Sequence, residues 1–386
     1  MALTDVFISP AGAGSEDGSS VANALPAIED GGGGDDWSPE IIALDRANKR
    51  FVFLTGTYNV ITQLIFSGSA PTDEQPNQWV GADASGNILR PKWLEGGLRL
   101  DLTDYPKFVC STNLDQGMIQ GEEFTYYKCL SFENTNASYS QGSIVEEGTT
   151  DTDQQAWYGC SFKAAPNHDT SEIMIISSTS FYNCVFEATT QQFDRVVDVR
   201  ANSRIYDCRF IGGGLGSGSG DGVGLEVTTH TTDIRNCVIT NCHGDGVRYS
   251  STSSKASTNI SDCTIVNNGG DGIDCSAGAA AGLAIQPHME SNIIFGNSGF
   301  GILANAVDDR GGGIQMAAMG SNSSGNFSNL DSFEDMIDLI TVTTADFFDY
   351  ANFDYRIRRD STLYKFFQNR NFGALQNEDY EFASVS

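Results

Sequence analysis

The chain has 386 residues and a formal net charge of −28, from 50 acidic and 22 basic side chains. Asp supplies 33 of the acids, and Lys supplies only 7 of the bases. Such a surface repels nucleic acid and anionic lipid, so we expect neither as a partner. No apolar run approaches the roughly 20 residues that span a bilayer, which argues against membrane insertion. The excess of acidic residues is compatible with two kinds of protein. One works in high salt, which screens the repulsion between its acidic side chains, and the other is an ordinary acidic extracellular protein.

Residues 1–100 contain short apolar strands separated by Gly, Ser and Asp, without the repeat that follows them. A stack of repeating coils leaves an open edge and an uncovered core at each end. We therefore expect residues 1–100 to form an N-terminal cap with the first strands. The first residues have neither a basic region nor an apolar core, so no secretory signal is expected there.

Residues 101–305 repeat a short motif, apolar-x-x-Cys-x-apolar. Its Cys positions are Cys160, Cys184, Cys208, Cys237 and Cys263, followed by Asn292 in a sixth copy, while a looser copy contains Cys129. Successive Cys or Asn positions from Cys160 lie 24, 24, 29, 26 and 29 residues apart. The part after the Cys alternates like a strand with one face inward. The spacing of three before the Cys breaks that alternation and predicts a bend.

A second motif, Gly-x-Gly followed by an apolar residue, accompanies the later copies. It occurs at Gly220–Val223, Gly244–Val247, Gly270–Ile273 and Gly299–Ile302. We expect these glycines to supply turns with positive φ before a further short strand. The period excludes propeller blades, and the missing Leu ladder excludes leucine-rich repeats. The sequence predicts coils of three short strands, each paired in parallel with its equivalent about 4.8 Å away.

Stacking of the coils predicts two rows of equivalent side chains. The five repeat cysteines, Cys160, Cys184, Cys208, Cys237 and Cys263, are expected to form a structural row in the core. Cys242, Asn268 and Asn297 are expected to form a second row at a turn. Side chains in a row point the same way and stay near the coil spacing, whereas a disulfide needs β-carbons roughly 3.8 Å apart. We expect free thiols and no zinc site, since zinc needs convergent ligands.

Residues 306–386 lose the repeat and end in an aromatic-rich tail, so we expect a C-terminal cap or a segment for oligomerisation or attachment. The ends also carry a family resemblance, in residues 6–14, 17–24, 56–58, 352–357, 360–363 and 372–376. These segments resemble the two ends of pectate-lyase-like proteins. The resemblance implies an all-β, right-handed, single-stranded parallel β-helix with an N-terminal cap and an irregular C-terminal segment. That superfamily includes lyases, hydrolases, epimerases, adhesins and viral spikes, so function stays open.

Two sets of outward residues are candidate contact sites. Tyr158, Tyr182 and Tyr206 share one position in successive coils, where they could stack on sugar rings or a partner, or stabilise the sheet. Asp221, Asp245 and Asp271 could hold Ca²⁺ or another divalent cation. Asp between glycines more often bonds its own turn, so we expect no cofactor. No catalytic residues can be assigned, because no carboxylate cluster with a cationic base can be assembled from the sequence.

The fold usually works outside cells, and the absence of an export signal favours release by lysis on a virus particle. We therefore expect a structural protein on the virion surface of a tailed virus, either a capsid decoration or turret protein or a spike (tailspike). Its expected partners are two further copies in a homotrimer, other virion proteins and host surface glycans. The alternative is an extracellular polysaccharide lyase or glycoside hydrolase acting on acidic glycans. Enzymatic activity is the less favoured of the two.

Overall fold

A computed structural model gives the architecture of the chain. The described residues are 3–31, 34–37, 46–60, 72, 75–111, 118–120, 124–136, 144–146, 155–164, 172–176, 179–191, 193–200, 202–215, 221–228, 232–250, 258–276, 288–304, 313–328, 335–361 and 363–364. Within these ranges no helix is long and apolar enough to cross a membrane.

Parallel strands stack into three faces, which form the right-handed parallel β-helix expected from the sequence. The first face contains Thr4–Ser9, Lys49–Leu54, Asn77–Ala82, Thr125–Lys128, Gln155–Tyr158, Thr179–Tyr182, Arg204–Tyr206, Thr232–Arg235, Thr258–Ser261 and His288–Glu290. The second face contains Gly56–Val60, Pro106–Cys110, Ser131–Asn134, Ser161–Ala164, Val185–Ala188, Arg209–Ile211, Val238–Thr240, Thr264–Val266 and Asn292–Phe295. The third face contains Ile119–Gln120, Val145–Glu146, Glu172–Ile176, Arg195–Val199, Val223–Val227, Val247–Tyr249, Ile273–Asp274, Phe300–Leu303 and Gly325–Phe327.

The predicted bend lies between the first and second faces. One residue there takes a left-handed conformation in each coil from Cys129 to Ser291, including Asn183, Asp207, Asn236 and Asp262 with φ of 52–58°. Asn and Asp tolerate this conformation better than other residues with a β-carbon. A single such residue turns the chain sharply enough for the apolar positions on both sides of it to face the core.

Aromatic rings fill the interior of the first coils. On the second face, Phe108, Phe132, Phe162, Phe186 and Phe210 stack with centroids 4.9–5.6 Å apart and interplanar angles of 16° or less. All five are fully buried. Later coils have Ile239, Ile265 and Ile294 in the same row. The in-register pairing of large apolar side chains fixes which face of each strand is inward.

The five repeat cysteines lie in a buried row, one in each successive coil. Each thiol contacts a backbone carbonyl, such as that of Tyr206, 3.3 Å from the Cys208 sulphur. Asn292 continues the row, and its amide bonds the Cys263 N–H and the Ile260 carbonyl at 2.9 and 2.8 Å. Burial raises the pKa of Cys208 far above that of an exposed thiol.

We expect this arrangement to make the thiols unreactive in the folded protein. None of the nine cysteines forms a disulfide, and Cys275 alone among them is partly exposed. Titration with a thiol-specific reagent should therefore detect at most one thiol in the native protein and nine after denaturation. Fewer than nine thiols after denaturation without reductant would mean that disulfides are present, which would contradict this expectation.

The second predicted row is a chain of buried amides at the turn between the second and third faces. Cys242 begins it, and its N–H donates to the Asn268 side chain at 3.2 Å. Asn268 donates to Asn297 at 3.0 Å, and Asn297 donates to Asn322 at 3.0 Å. Each amide also donates to a carbonyl one coil earlier, for example Asn297 to Ile265 at 3.3 Å. These bonds satisfy turn groups that would otherwise be buried without partners.

The strand pairing corrects the alignment of two motifs. Tyr127 pairs with Trp157, so Cys129 occupies the bend position and Leu130 the inward position of the cysteine row. Leu225 pairs with Val247, which shifts the second motif by two residues. In both cases the buried apolar side chains, rather than the motif letters, determine the register.

The glycines of the second motif serve close packing more than positive φ. Among the described residues of the motif only Gly222 has positive φ. A β-carbon on Gly246 would lie 2.7 Å from the carbonyl oxygen of Gly272 one coil later and 2.9 Å from the Asn268 amide. The prediction of turns with positive φ was therefore wrong for the later copies, where glycine allows neighbouring coils to approach.

Two segments from opposite ends of the chain cover the outside of the second face. Residues 88–102 pack Leu100 on Val185 and Ile211, and Trp93 lies 4.8 Å from the buried Arg209 guanidinium. Residues 342–364 pack on the later strands of the same face. Leu98 contacts both apolar clusters, so the two segments meet on this face. On the first face, residues 13–24 and Ile88 cover only the first strands, where they pack on the outward side of Val52 and Val80. The later strands of the first face and the third face carry no such covering among the described residues.

Parallel pairing extends beyond the predicted boundaries at 100 and 305. It begins at Thr4–Ser9 and continues through Gly313–Gly320 and Asp335–Thr341, which cross the first and second faces as single strands. These coils lack the Cys motif because no bend interrupts their strands. Antiparallel pairs complete the ends: Ile28–Gly31 with Gly34–Trp37, and Phe347–Asp349 with Asp354–Ile357. Residues 372–376, part of the family resemblance, lie outside the described ranges.

Candidate functional site

A column of charged residues runs along the outside of the third face. Asp198, Glu226, Arg248 and Asp274 occupy equivalent positions in four successive coils. They alternate with inward apolar residues such as Leu225, which places the charged side chains on the opposite side of each strand. We call these four residues the charged column.

Arg248 joins carboxylates from neighbouring coils. Its guanidinium lies 2.5 Å from the carboxylate of Asp221 and 2.8 Å from that of Asp245. A third carboxylate, that of Asp274, lies 3.8 Å away. Asp245 and Asp274 are buried, so their charges depend on this arginine for compensation.

Arg195 has the same role at the earlier end of the column. It contacts Asp194 at 3.0 Å, Asp198 at 3.4 Å and the carboxylate of Glu226. Asp198 also accepts from Arg200 at 2.8 Å. Asp198 and Glu226 are 1% and 4% exposed, so this cluster is a packed ionic network rather than an open patch.

Two carboxyl groups at the edge of this network are easier to protonate than usual. Burial raises the pKa of Asp245, although a hydrogen bond from the Asp271 N–H and the charge of Arg248 oppose the shift. Burial raises the pKa of Asp271 to about 6, against a hydrogen bond from the Phe300 N–H. Asp271 is therefore partly protonated near neutral pH, and it could act as a proton donor or acceptor.

The structure does not bring the three predicted metal ligands together around a common point. The corrected register removes Asp221 from the column that contains Asp245 and Asp271. Arg248 lies between Asp221 and Asp245, and its guanidinium supplies the positive charge that a divalent cation would supply. The described part of the chain contains no group of three or more acidic, His or Cys side chains arranged to hold a metal ion. The metal interpretation is therefore not supported.

The three predicted tyrosines do lie in register on the outside of the first face. Tyr158 pairs with Tyr182, and Tyr182 pairs with Tyr206. The rings of Tyr182 and Tyr206 meet edge to face with centroids 5.6 Å apart. All three side chains are partly exposed. We call these three residues the tyrosine column.

Hydrogen bonds fix the end of this column at Tyr206. Its hydroxyl donates to the carboxylate of Asp233 at 2.5 Å, and burial, followed by this bond, raises the pKa of Tyr206 to about 12. Asp233 also accepts from Arg235 at 2.7 Å and from Asn259 at 3.0 Å. Tyr206 is thus a neutral, positioned ring rather than a nucleophile.

Sequence reasoning missed Arg195 and Arg248, the two arginines that organise the third face. A signal was present in the apolar residue followed by a charged one at Leu225-Glu226, Val247-Arg248 and Ile273-Asp274. The misaligned second motif hid this repetition, because it placed Val223 rather than Leu225 opposite Val247.

Comparisons with known proteins agree with this architecture. A family model described as right-handed β-helix region matches residues 157–310. Pectate lyase Pel9A has a similar structure, with a TM-score of 0.58 and 13% identity over 92% of this chain and 90% of that one. The A-module of mannuronan C-5 epimerase AlgE6 from Azotobacter vinelandii gives a TM-score of 0.37 and 9% identity over 76% of this chain and 91% of that one.

The comparison with curated proteins gives no match. At 13% identity, the similarity to Pel9A shows the fold and leaves the activity open. The stacked parallel strands, the left-handed bend residues and the matching family model point to one architecture. The chain has the pectate-lyase-like right-handed parallel β-helix fold.

Proposed function

We propose that this protein is a structural protein on the surface of a tailed-virus particle, as a capsid decoration or turret protein or a spike, and that it binds host surface glycans. The observation that carries the proposal is the tyrosine column, a partly exposed array of rings on the uncovered part of the first face. Tyr rings offer an apolar face and a polar hydroxyl, which suits contact with sugars.

The charged column supports recognition over cleavage as the main activity. Its buried carboxylates are engaged with Arg195 and Arg248, so cleavage would require this network to open. A net charge of −28 keeps such a rod soluble and apart from other acidic surfaces. Three rods side by side about a threefold axis would form a closed homotrimer, the assembly that we propose on the particle, in contact with other virion proteins.

Particle association and adsorption test this proposal together. Mass spectrometry of density-purified particles should detect the chain at a copy number that is a multiple of three per particle or per vertex. The purified protein should compete with the particles for adsorption to host cells, and Tyr182→Ala should abolish that competition without changing thermal stability. Absence from purified particles would overturn the virion assignment, and full competition by the variant would overturn the role of the column.

A polysaccharide lyase or glycoside hydrolase is the second candidate. One observation favours it: Asp271, with a pKa of about 6, lies beside Asp245 and the Arg248 network on an uncovered face. Incubation with polygalacturonate and alginate, followed by quantification of unsaturated and reducing ends, distinguishes the two functions. Product formation that Asp271→Asn removes would establish the enzyme, whereas a glycan that is bound and recovered intact would support recognition.

A further inference from the structure

Cationic side chains surround the tyrosine column, although acids outnumber bases by 50 to 22 in the whole chain. Lys128 pairs in register with Tyr158 one coil earlier, and its ammonium lies 5.6 Å from that ring. Arg235 pairs with Tyr206 one coil later, and its guanidinium lies 5.7 Å from the ring. The five residues form one outward row about 19 Å long, four coil spacings of about 4.8 Å.

A third cation, Arg204, is exposed two residues before Tyr206 on the same side of its strand. Its positive charge acts on the Tyr206 hydroxyl. Neither Arg204 nor Lys128 forms an ion pair with a carboxylate in the described part of the chain. Both therefore remain available to a negatively charged ligand.

The two acids that act on these rings are already engaged. Asp207, whose charge acts on the Tyr158 hydroxyl, accepts a hydrogen bond from the Asn236 amide. Asp233 accepts hydrogen bonds from Tyr206, Arg235 and Asn259, so its charge is balanced by groups of the protein itself. In the described part of the chain, the cations Lys128, Arg204 and Arg235 outnumber the two carboxylates that act on these rings, on a molecule with a net charge of −28. Such a local reversal of sign favours an anionic partner over a neutral or cationic one.

We propose that the tyrosine column binds an acidic glycan, carboxylated or sulfated, that runs parallel to the axis of the β-helix. This inference rests on the proposed function and specifies its ligand class. Sugar rings would pack on Tyr158, Tyr182 and Tyr206, while carboxylate or sulfate groups accept hydrogen bonds from Lys128 and Arg204. Arg235 stays with Asp233 and holds the last ring in place.

Paired probes that differ only in charge test the ligand class. Binding of polygalacturonate oligomers and of their neutral methyl esters to the full-length protein would be compared by calorimetry, with dextran sulfate and dextran as a second pair. We expect each acidic probe to bind at least about tenfold more tightly than its neutral partner, since two charge-assisted contacts separate them. Lys128→Gln with Arg204→Gln should remove that preference and leave binding of the neutral probe unchanged.

Two controls separate local from general effects. Lys92→Gln removes the same charge from an exposed lysine on the segment that covers the second face, and it should leave the preference intact. Tyr182→Ala should weaken both members of a pair, and Tyr182→Phe should retain binding. Thermal unfolding of each variant checks that the fold is unchanged.

Each remaining outcome has a defined meaning. If acidic and neutral probes bind equally and Tyr182→Ala abolishes binding of both, the proposal of an acidic ligand is wrong. Glycan recognition by the tyrosine column would still stand. Binding of none of the four probes would overturn both. An oligonucleotide that binds as tightly as the acidic glycans would also overturn the inference, because bases can stack on the same rings.

Discussion

Replacement of Trp157 by alanine is expected to lower the free energy of unfolding by about 3–5 kcal/mol. The indole is fully buried and stacks on Tyr127 with centroids 3.7 Å apart and on Phe181 with centroids 6.3 Å apart. It also meets Phe162 edge to face at 5.3 Å. Removal of the ring leaves a cavity that the rigid coils on either side cannot close. Guanidinium unfolding followed by near-ultraviolet circular dichroism measures the loss.

Tyr158→Ala is the matched control for this prediction. Tyr158 is the next residue of the same strand, and its side chain points outward. We expect Tyr158→Ala to lower the free energy of unfolding by less than about 1 kcal/mol, as surface substitutions usually do. Equal costs for Trp157→Ala and Tyr158→Ala would mean that the strand is shifted by one residue, which would reverse its inner and outer faces.

Arg248→Met is expected to destabilise the protein by about 3–5 kcal/mol at neutral pH, because it leaves buried carboxylates without their cation. Asp245 is 6% exposed and Asp274 is 8% exposed, so neither charge can be solvated in place. Met retains most of the apolar stem, which limits the loss of packing. Thermal unfolding at several pH values gives both the size of the effect and its cause.

The sign of the pH dependence follows from Asp245. Burial already raises its pKa in the folded protein, and loss of the arginine raises the pKa further. A raised folded pKa favours folding below the unfolded value of 3.8 and costs stability as pH rises through the folded value. The deficit of Arg248→Met should therefore be largest at pH 7–8 and shrink towards about pH 4. A deficit independent of pH would indicate lost packing instead.

Arg200→Met serves as the control on the same face. Arg200 is half exposed and contacts Asp198, which keeps Arg195 as a second partner. Exposed ion pairs of this kind contribute about 0–1 kcal/mol. The two substitutions together test whether burial, rather than the number of ion pairs, determines the contribution of an arginine on this face.

The sequence was informative wherever inward apolar residues and the motif agreed. Phe162, Phe186 and Phe210 follow their cysteines by two residues, so the cysteine spacing also placed the outward tyrosines correctly. The prediction of a bend came from one broken alternation and is confirmed by the left-handed residues such as Asn183. In these coils, a single strand register aligns the cysteine motif and also places the apolar side chains inward.

In other coils, the register that aligns the motif residues differs from the one that places the large apolar side chains inward. The observed strand pairing there follows the apolar side chains. Alignment on Cys129 hid Lys128, which faces Tyr158 only when Tyr127 is set opposite Trp157. The covering segments could not be placed at all, because contacts such as Leu98 with distant coils follow from no repeat. Contacts between side chains across turns of variable length, such as Arg248 with Asp221, cannot be deduced from the repeat and are visible only in the three-dimensional structure.

The two covering segments give the rod a mechanical property that stacked coils alone lack. In a solenoid each coil contacts only its neighbours, so the ends can fray one rung at a time. Here Gly96 lies against Asp354, and Leu98 touches the apolar clusters of both segments. The C-terminal coils therefore cannot separate before residues 342–364 detach from the second face, where they meet residues 88–102. Loss of the C-terminal coils is thus coupled to the coils in the middle of the chain, and we expect this part of the β-helix to resist shear and proteases as one unit.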